Sequence, residues 1–539
     1  QRDLEIDKLT DIIDIRYFFR SDGDVVVFTE SGRTLVDTIP PTLTHVPASS
    51  VSATSTHSEG DIAGIFVGTA IASNDITNDI REGQLKGLVD LRDSVLPNLQ
   101  AELDELASDL RDVLNQVHNR GVPFPGSQTM SGSRIFIRPA EQTMTLDSGG
   151  DDVAITLFDS TGNQSATTTL ETIMTSNLYG TSGSQVQAAN GPWTITEVAA
   201  QVEDWLQANG ASGATASIGT DGKMAIALNT TSLNLAFRDE AATADGSTAE
   251  DVVISYDANG DGVSDETVSG FSYFFGLNDF LIDSKFDNQW ESQVVATSFA
   301  SPTTSQTLTF RDAATGTIGT LAVTSGTSLT DLATNITNNI TNITATVVPE
   351  GDGSRLRISH DNGSSITVTQ ATGNTLLTEL GLATADTGVA SVLQVRTDIQ
   401  SAPAKISTAR AQWNAALGTG GQYFMGSGDD TIAQQLVTAM TSTNTFEKAG
   451  GLATKTATFA GYASEILSTN ASLAGVNERE LESQRTLVES LQFKSDSVRG
   501  VNLDQEMADL LVFEQAFAAA ARVIAVIQSM IDALDRAIQ

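Results

Sequence analysis

Three kinds of hydrophobic pattern follow one another along this chain. Near its start, Leu4, Leu9, Ile12 and Ile13 fall near one face of a helix over residues 1–16. Val25-Val26-Val27-Phe28 and Leu35-Val36, split by Glu30-Ser31-Gly32-Arg33, predict a hairpin. Residues 40–60, with Pro40, Pro41 and Pro47 among many Ser and Thr, read as a polar loop. Leu85, Val89, Arg92, Leu96, Leu99, Leu103, Leu106, Leu110, Val113 and Val117 then recur at alternating steps of four and three. That is a coiled-coil seam with Arg92 as its one polar member. Pro97 predicts a kink or a fresh helix start inside it.

From about 127 to 390 the chain turns to Thr, Ser, Gly, Asn and Asp with short β-branched runs such as Ile135-Phe136-Ile137, Val153–Leu157 and Thr307–Phe310. One unit occurs twice here. Val153–Leu157, Thr196–Ala200, Ala214–Ile218, an Asp221-Gly222 turn, Met224–Leu228 and Phe275-Gly276-Leu277 follow in order. Thr307–Phe310, Leu329–Ala333, Ala345–Val348, a Gly351-Asp352-Gly353 turn, Arg355–Ile358, Ile366–Val368 and Leu380-Gly381-Leu382 repeat the plan. Strand, helix, strand, turn, strand and an apolar-Gly-Leu close favour two similar α+β inserts over one large sheet.

Helical periodicity returns after 390. Leu452, Phe459, Ile466, Leu473 and Leu487 share one seven-residue repeat with Glu480 and Lys494. The last segment is cleaner: Leu503, Leu510, Phe517, Ile524, Ile531 and Ile538 recur every seven residues, with Phe513, Ala520, Ile527 and Leu534 beside them. Asn502 is a suitable N-cap, and Asp504, Glu506 and Arg536 suit the helix dipole. A straight helix over 504–539 runs roughly 54 Å. Its apolar stripe, made of Leu503, Leu510, Phe513, Phe517, Ile524, Ile527, Ile531, Leu534 and Ile538, has to be buried; another subunit is a natural place, and an ordinary intramolecular bundle is the alternative. The expected fold is therefore multidomain α+β, with long coiled-coil-like helices at the ends and strand-rich α+β domains inserted between them. The expected boundaries are 1–126 and 391–499 for a two-part helical core domain, 127–286 and 287–390 for the inserts, and 500–539 for an axial helix.

Composition then excludes whole classes of chemistry. A chain of 539 residues exceeds one core, and a net charge of −38 repels phosphate backbones and anionic lipid, so neither nucleic acid nor a membrane surface is an expected partner. Cysteine is absent, which removes disulfides, thiolate catalysis and cysteine metal sites. The four histidines, His45, His57, His118 and His360, show no helical metal-ligand spacing. No unbroken apolar run approaches the ~18 residues of a membrane span. The opening Gln1-Arg2-Asp3 is neither a signal peptide nor a natural start, so a fragment or processed chain is expected.

Asp257-Ala258-Asn259-Gly260-Asp261-Gly262 carries the first half of a calcium loop, with Asp257, Asn259 and Asp261 as candidate ligands. Val268 stands where the closing Glu belongs, so a polar turn is the preferred reading and no cofactor is expected. Asn335, Asn339 and Asn342 each open an Asn-x-Thr triplet, which composition alone explains. His45 and His57 near Ser and Thr would suit a secreted hydrolase, yet no Gly-x-Ser-x-Gly elbow, Walker loop or dinucleotide fingerprint accompanies them. No catalytic constellation emerges, and an enzyme is not expected.

The run Gly500-Val501-Asn502-Leu503-Asp504-Gln505-Glu506, then Glu514-Gln515-Ala516-Phe517 and Ala521-Arg522-Val523-Ile524, resembles the end of the flagellar hook-associated protein 1 (FlgK) family. Gln505 stands for that family's first Glu and Phe517 for its Tyr; rod and hook proteins share a related ending. Arg2-Asp3 through Arg16, Gly83 through Leu96-Pro97, and Phe275-Gly276-Leu277-Asn278-Asp279-Phe280 are similar to the same family. The resemblance implies an axial structural protein between hook and filament. It also implies secretion through the flagellar export channel with an export chaperone, and polymerisation with copies of itself, hook protein and hook-associated protein 3. It further implies an N-terminal helical segment pairing with the C-terminal helix, a segment these 539 residues do not include. The alternatives are hook-associated protein 3, flagellin, or a cell-surface adhesin acting through 127–390.

Overall fold

The computed structural model describes residues 2–48, 55–58, 60–147, 150–176, 187–240, 250–283, 288–302, 304–313, 316–499 and 503–538. It falls into two units, 1–466 and 467–539. In the first, α1 (Arg2–Ile12) ends sooner than its apolar spacing predicts. The run Ile15-Arg16-Tyr17-Phe18-Phe19 becomes β1 (Ile15–Phe19), paired antiparallel with β2 (Val25–Thr29) from Ile15↔Thr29 to Phe19↔Val25. Its aromatic and β-branched residues fit a ladder better than a helix. Ile6 and Ile13 are the buried residues of the segment, whereas Leu4 and Ile12 are exposed. β3 (Thr34–Val36) completes the expected hairpin. Ile13, Val27, Leu35, Ile76 and Ile80 form its small core. The proline-rich loop carries the short strand β4 (Leu43–Thr44), which pairs with β5 (Phe66–Val67) beyond it.

α2 (Gln84–Asp90) passes through a π turn over Leu91–Val95 directly into α3 (Leu96–Asn119). Pro97 lies in the first turn of α3. Its ring would crowd the carbonyl four residues back in a regular helix, and the wider π turn relieves that conflict. The extra residue also shifts the phase of the seam. Leu99, Leu106, Leu110 and Val113 pack on a cluster of Phe446, Leu452, Phe459, Tyr462 and Ile466, while Leu96 and Leu103 are exposed. The predicted single seam over 85–117 is thus two shorter faces.

The first strand-rich region runs β6 (Thr129–Ser131), β7 (Thr143–Leu146), β8 (Asp152–Phe158), β9 (Gln164–Thr169), α4 (Leu170–Thr175), β10 (Trp193–Thr194), α5 (Ile195–Ala208), β11 (Thr215–Ile218), β12 (Met224–Ala227), β13 (Asn234–Glu240), β14 (Val253–Asp257), β15 (Glu266–Ser269) and α6 (Phe271–Phe275). The second runs β16 (Leu281–Ile282), β17 (Gln289–Glu291), β18 (Val295–Ala296), β19 (Gln306–Asp312), β20 (Gly316–Val323), α7 (Leu329–Asn339), β21 (Ile343–Glu350), β22 (Gly353–His360), β23 (Ile366–Gln370) and α8 (Leu376–Leu380).

The duplication is visible strand by strand. β8 lies between β9 and β13, and β19 lies between β20 and β23, all antiparallel, each central strand with an irregularity against its hairpin partner. The hairpin β11–β12 is extended by β6, and β21–β22 by β17. β13 is the counterpart of β23 that the sequence reading lacks. A capping box of Thr194 and Glu197 opens α5, and the Ser328 hydroxyl accepts from the Asp331 amide to open α7. Both closing helices end on a left-handed glycine. The Gly276 and Leu277 amides donate to Tyr273 and Ser272 carbonyls at 2.9 Å each, and Gly381 and Leu382 donate to Thr378 and Leu377 at 3.1 and 3.0 Å. A side chain at φ near 60° would be strained, so Gly is required at this stop. The first copy alone adds the sheet β10-β7-β14-β15.

Each copy has its own core, with Trp193, Trp205, Phe136, Phe271, Phe274 and Phe275 in the first and Leu308, Phe310, Leu332 and Ile336 in the second. Ile135-Phe136-Ile137 is not the expected strand. The segment crosses the β11–β12 turn, held by one bond from the Phe136 amide to Gly222 at 2.8 Å, and buries the Phe136 ring against Phe275.

The return to the core passes β24 (Ala383–Thr384), α9 (Val389–Val392), β25 (Gln394–Val395), α10 (Thr397–Ser401), β26 (Gln412–Asn414), β27 (Gln422–Phe424), α11 (Thr431–Thr441), β28 (Asn444–Phe446) and β29 (Lys455–Ala457). α12 (Phe459–Arg499) and α13 (Leu503–Ile538) end the chain. Leu452 precedes α12 and sits in a turn, so its place on the heptad was coincidental, while Phe459 and Ile466 are buried as the pattern requires.

Candidate assembly interface

α3 presents a polar face that ties distant segments together. Asn98 Oδ1 accepts from the Gly351 amide at 3.2 Å and Glu102 Oε1 from Gly451 at 3.0 Å. The buried Asp104 carboxylate accepts from Gly388 at 2.6 Å and Ala390 at 2.8 Å, at the start of α9. Arg111 donates to Asp283 at 2.7 Å and Asp386 at 3.0 Å, and Arg120 grips Asp251 with both arms at 2.8 and 2.7 Å. At Gly450, with φ of 56°, an added Cβ would stand 2.2 Å from the Asn98 carbonyl oxygen, so only glycine lets this loop approach the helix.

The densest part is a buried polar knot around Phe275–Phe280. Asn115 Oδ1 accepts from Phe280 and Leu281 amides at 2.9 and 2.8 Å, and its Nδ2 donates to the Leu281 carbonyl at 2.8 Å. Asn119 accepts from the Asn278 amide at 2.8 Å and donates to Asp279 Oδ1 at 2.6 Å. His118 Nδ1 donates to the Asn278 carbonyl at 2.5 Å, and its Nε2 accepts from the Ser407 amide at 2.8 Å. A ring that donates on one side and accepts on the other is neutral. Burial pushes His118 down to about 4, against the opposing pull of the Asn278 bond. Burial likewise lifts Asp279 to about 6, although Ser133 and Asn119 donate to it.

In the sequence Asn278 and Asp279 stand out only within the run 275–280, His118 only as one of four histidines, and Asn115 and Asn119 not at all. Three polar residues at i, i+3 and i+4 in an otherwise amphipathic helix were the available signal.

The second unit contains α13 and most of α12. Leu503, Leu510, Phe513, Phe517, Ile524, Ile527, Ile531, Leu534 and Ile538 are all exposed, each leaving between 50% and 79% of its surface open. The Asn502 cap lies outside the described residues. Val512, Val523, Val526 and Met530 are exposed as well. With Ala516, Ala519, Ala533 and Ala537 they form a second series at steps of four and three, displaced about 100° around the axis. The sequence reading missed it because Ala and Val stand out less than Leu, Ile and Phe. An apolar helix with two such faces requires cover on more than one side. α13 is also long and apolar enough, by length and composition, to cross a membrane, which a count of unbroken apolar residues does not register.

The other sequence candidates lie in the first unit. Asp257 accepts from Asn259, Gly260 and Gly262 amides at 3.1, 2.6 and 2.7 Å, Asn259 Oδ1 from Asp261 at 2.8 Å, and Asp261 from Val263 at 2.9 Å. Asp265 accepts from Ala258 at 2.9 Å and is raised to about 7, chiefly by burial and then by Asp257 and Asp261. The loop satisfies its own amides between β14 and β15. His57 bonds the Ile62 carbonyl at 3.1 Å and faces Asp75 at 3.2 Å, whereas His45 bonds Gly64 at 3.2 Å.

Residues 1–136 match the flagellar hook-associated protein FlgK helical domain, and residues 497–537 match the flagellar basal body rod FlgEFG protein C-terminal family. Among solved structures, the flagellar hook junction protein FlgK from Burkholderia pseudomallei is 14% identical, covering 92% of this chain and 77% of that one with a TM-score of 0.31. The flagellar cap protein FliD from Helicobacter pylori is 10% identical over 63% and 84%, with a TM-score of 0.13. Likenesses this low add nothing to the two family matches. No curated protein matches the chain. The chain thus carries a helical domain of the flagellar hook-associated FlgK type over residues 1–136 and a segment of the flagellar rod C-terminal type over residues 497–537.

Proposed function

We propose that the chain joins hook to filament by packing its terminal parts among neighbouring subunits while its two α+β inserts stand free in solvent. It is a structural axial protein of the bacterial flagellum, in the role of hook-associated protein 1. The supporting observation is where large apolar side chains lie open. Leu4, Tyr17, Phe18, Phe19, Leu43, Leu88 and Leu96 are exposed in the first hundred residues, and so is every large apolar residue of α13 named above. Between residues 104 and 416, Val263 is the only large apolar residue exposed among the described residues. Surfaces finished for water and surfaces left apolar are thus separated along the chain, as subunit contacts at the ends alone require.

The partners are other copies of the chain, hook protein and hook-associated protein 3, met head to tail in a helical array. The place of work is outside the cell, after export with a chaperone. The apolar α13 serves protein contacts there and not a membrane, and no catalysis is involved. Antibody raised against residues 127–390 and carrying gold should mark a band where hook meets filament on producing cells. Label along the filament would instead indicate flagellin, and label on the cell body an adhesin.

The Asp257–Gly262 loop folds without calcium in this reading, because its amides already satisfy the carboxylates and the closing Glu is absent. The melting temperature should be the same in calcium and in chelator. A steep rise with calcium that Asp261→Ala removes would refute it.

A further inference from the structure

A cavity of about 300 Å³ opens where the end of α3 meets β13, the segment before β14, and α11. It gathers Arg120, Arg238 and Arg410 in a chain with only 29 basic residues and a net charge of −38. The carboxylates on its wall are held by hydrogen bonds, one of them by Arg120 of the same cavity, or stand at the rim. Asp251 is taken by both arms of Arg120. Asp239 Oδ2 accepts from Phe271 and Val252 amides at 2.8 and 3.4 Å, and burial lifts this carboxyl to about 7. Glu250 is exposed.

Arg410 differs from the other two guanidinium groups in making no ion pair among the described residues, and its Nε is buried without a hydrogen-bond partner. The Gln435 Oε1 beside it is also buried and unmatched. Burial lowers Arg410 and Arg238 lowers it further, against the opposing pull of Asp429 and Asp251. Arg238, itself buried, points Nη1 at the Ala411 carbonyl at 3.1 Å and holds Glu240 no closer than 3.9 Å by Nε. Two neighbouring guanidinium groups, one of them in no ion pair among the described residues, leave donors that an outside anion can engage.

We propose that this cavity is a binding site for a small anion of the phosphate or carboxylate class, held by Arg410 and Arg238 with the Gln435 amide turned to donate. The volume accommodates a phosphate or a small tricarboxylate. Bound there, the anion fastens the end of α3 to the first insert and to α11.

The test is calorimetric titration of the full chain with inorganic phosphate and, separately, citrate, chloride being adjusted to constant ionic strength. One saturable site is expected, weakened about tenfold or more by Arg410→Met. Arg410→Lys and Gln435→Ala should weaken it about threefold, and these two carry the test if Arg410→Met does not fold. Glu465→Gln, on a surface pair with Lys455, should bind like the parent. Absence of saturable binding by both anions overturns the proposal, as does binding that the Arg410 and Gln435 variants leave unchanged. Sedimentation separates the sources of the anion. A monomer at every phosphate concentration supports a free anion, whereas a dimer that phosphate dissociates assigns the charge to a carboxylate of a second copy and overturns it.

Discussion

Deleting residues 504–539 should leave the melting of the 1–466 unit within about 1 °C while abolishing incorporation at the hook–filament junction. The expectation rests on where α13 could be buried. None of its described residues is buried in the isolated chain. Covering one large apolar side chain is worth about 1.5–3 kcal/mol, so leaving its stripe in water costs on the order of 10 kcal/mol. Helix propensity cannot offset that in an isolated segment. In the proposed assembly that cover comes from neighbouring subunits. Ile524→Asp should have the same effect with one charge, since the assembled seam would then have to bury a carboxylate without a partner. Ala519→Asp tests the second, smaller face in the same way and should also block assembly. Electron microscopy of hook–filament junctions, with calorimetry on each variant, reads both halves. Normal assembly of the deletion or of Ile524→Asp would remove α13 from the assembly role, and unfolding of the 1–466 unit would assign it to an internal core.

What the sequence made legible was local. The seven-residue repeat of α13 is written in adjacent turns, and so are the hairpin at 25–36 and the order of elements in each insert. Gly276 and Gly381 were legible for the same reason, because an apolar-Gly-Leu close encodes its own stop. The errors have a common cause in contacts from far along the chain. Ile15 and Arg16 left the first helix because Val25–Thr29 offered them a ladder. The seam at 85–117 lost its phase at a π turn, which hydrophobic spacing does not show. The polar face of α3 was invisible because its partners lie 131 to 349 positions away, from Asp251 to Gly451. Periodicity says that such a face exists, and only the fold says what it holds.

His118 is where that hidden face should produce the largest change in stability. Its folded form is neutral, with burial holding it at about 4 where the free side chain titrates near 6.5. The folded state therefore resists a proton that the unfolded chain accepts between these values. The resulting stabilisation, about 3 kcal/mol, is fully present above pH 6.5 and is lost as pH falls toward 4. Asp239 and Asp265, raised to about 7, and Asp279, raised to about 6, act in the opposite sense. They bind protons in the folded state first, so their contribution is present at low pH and is lost as pH rises through 6 to 7. The parent's own profile mixes both effects, and a variant separates them. His118→Gln cannot reach both the Asn278 carbonyl and the Ser407 amide, so one buried group loses its partner at a cost of about 1–3 kcal/mol. It also no longer has a ring to protonate. At pH 7.5 the variant should be the less stable chain by several degrees in melting temperature, and the gap should close steadily between pH 6.5 and 4.5. Melting curves of both chains across that range decide the matter. A gap that stays constant with pH would mean that the folded ring is not held neutral, and no gap at any pH would mean that the knot around Asn278 contributes nothing to the fold.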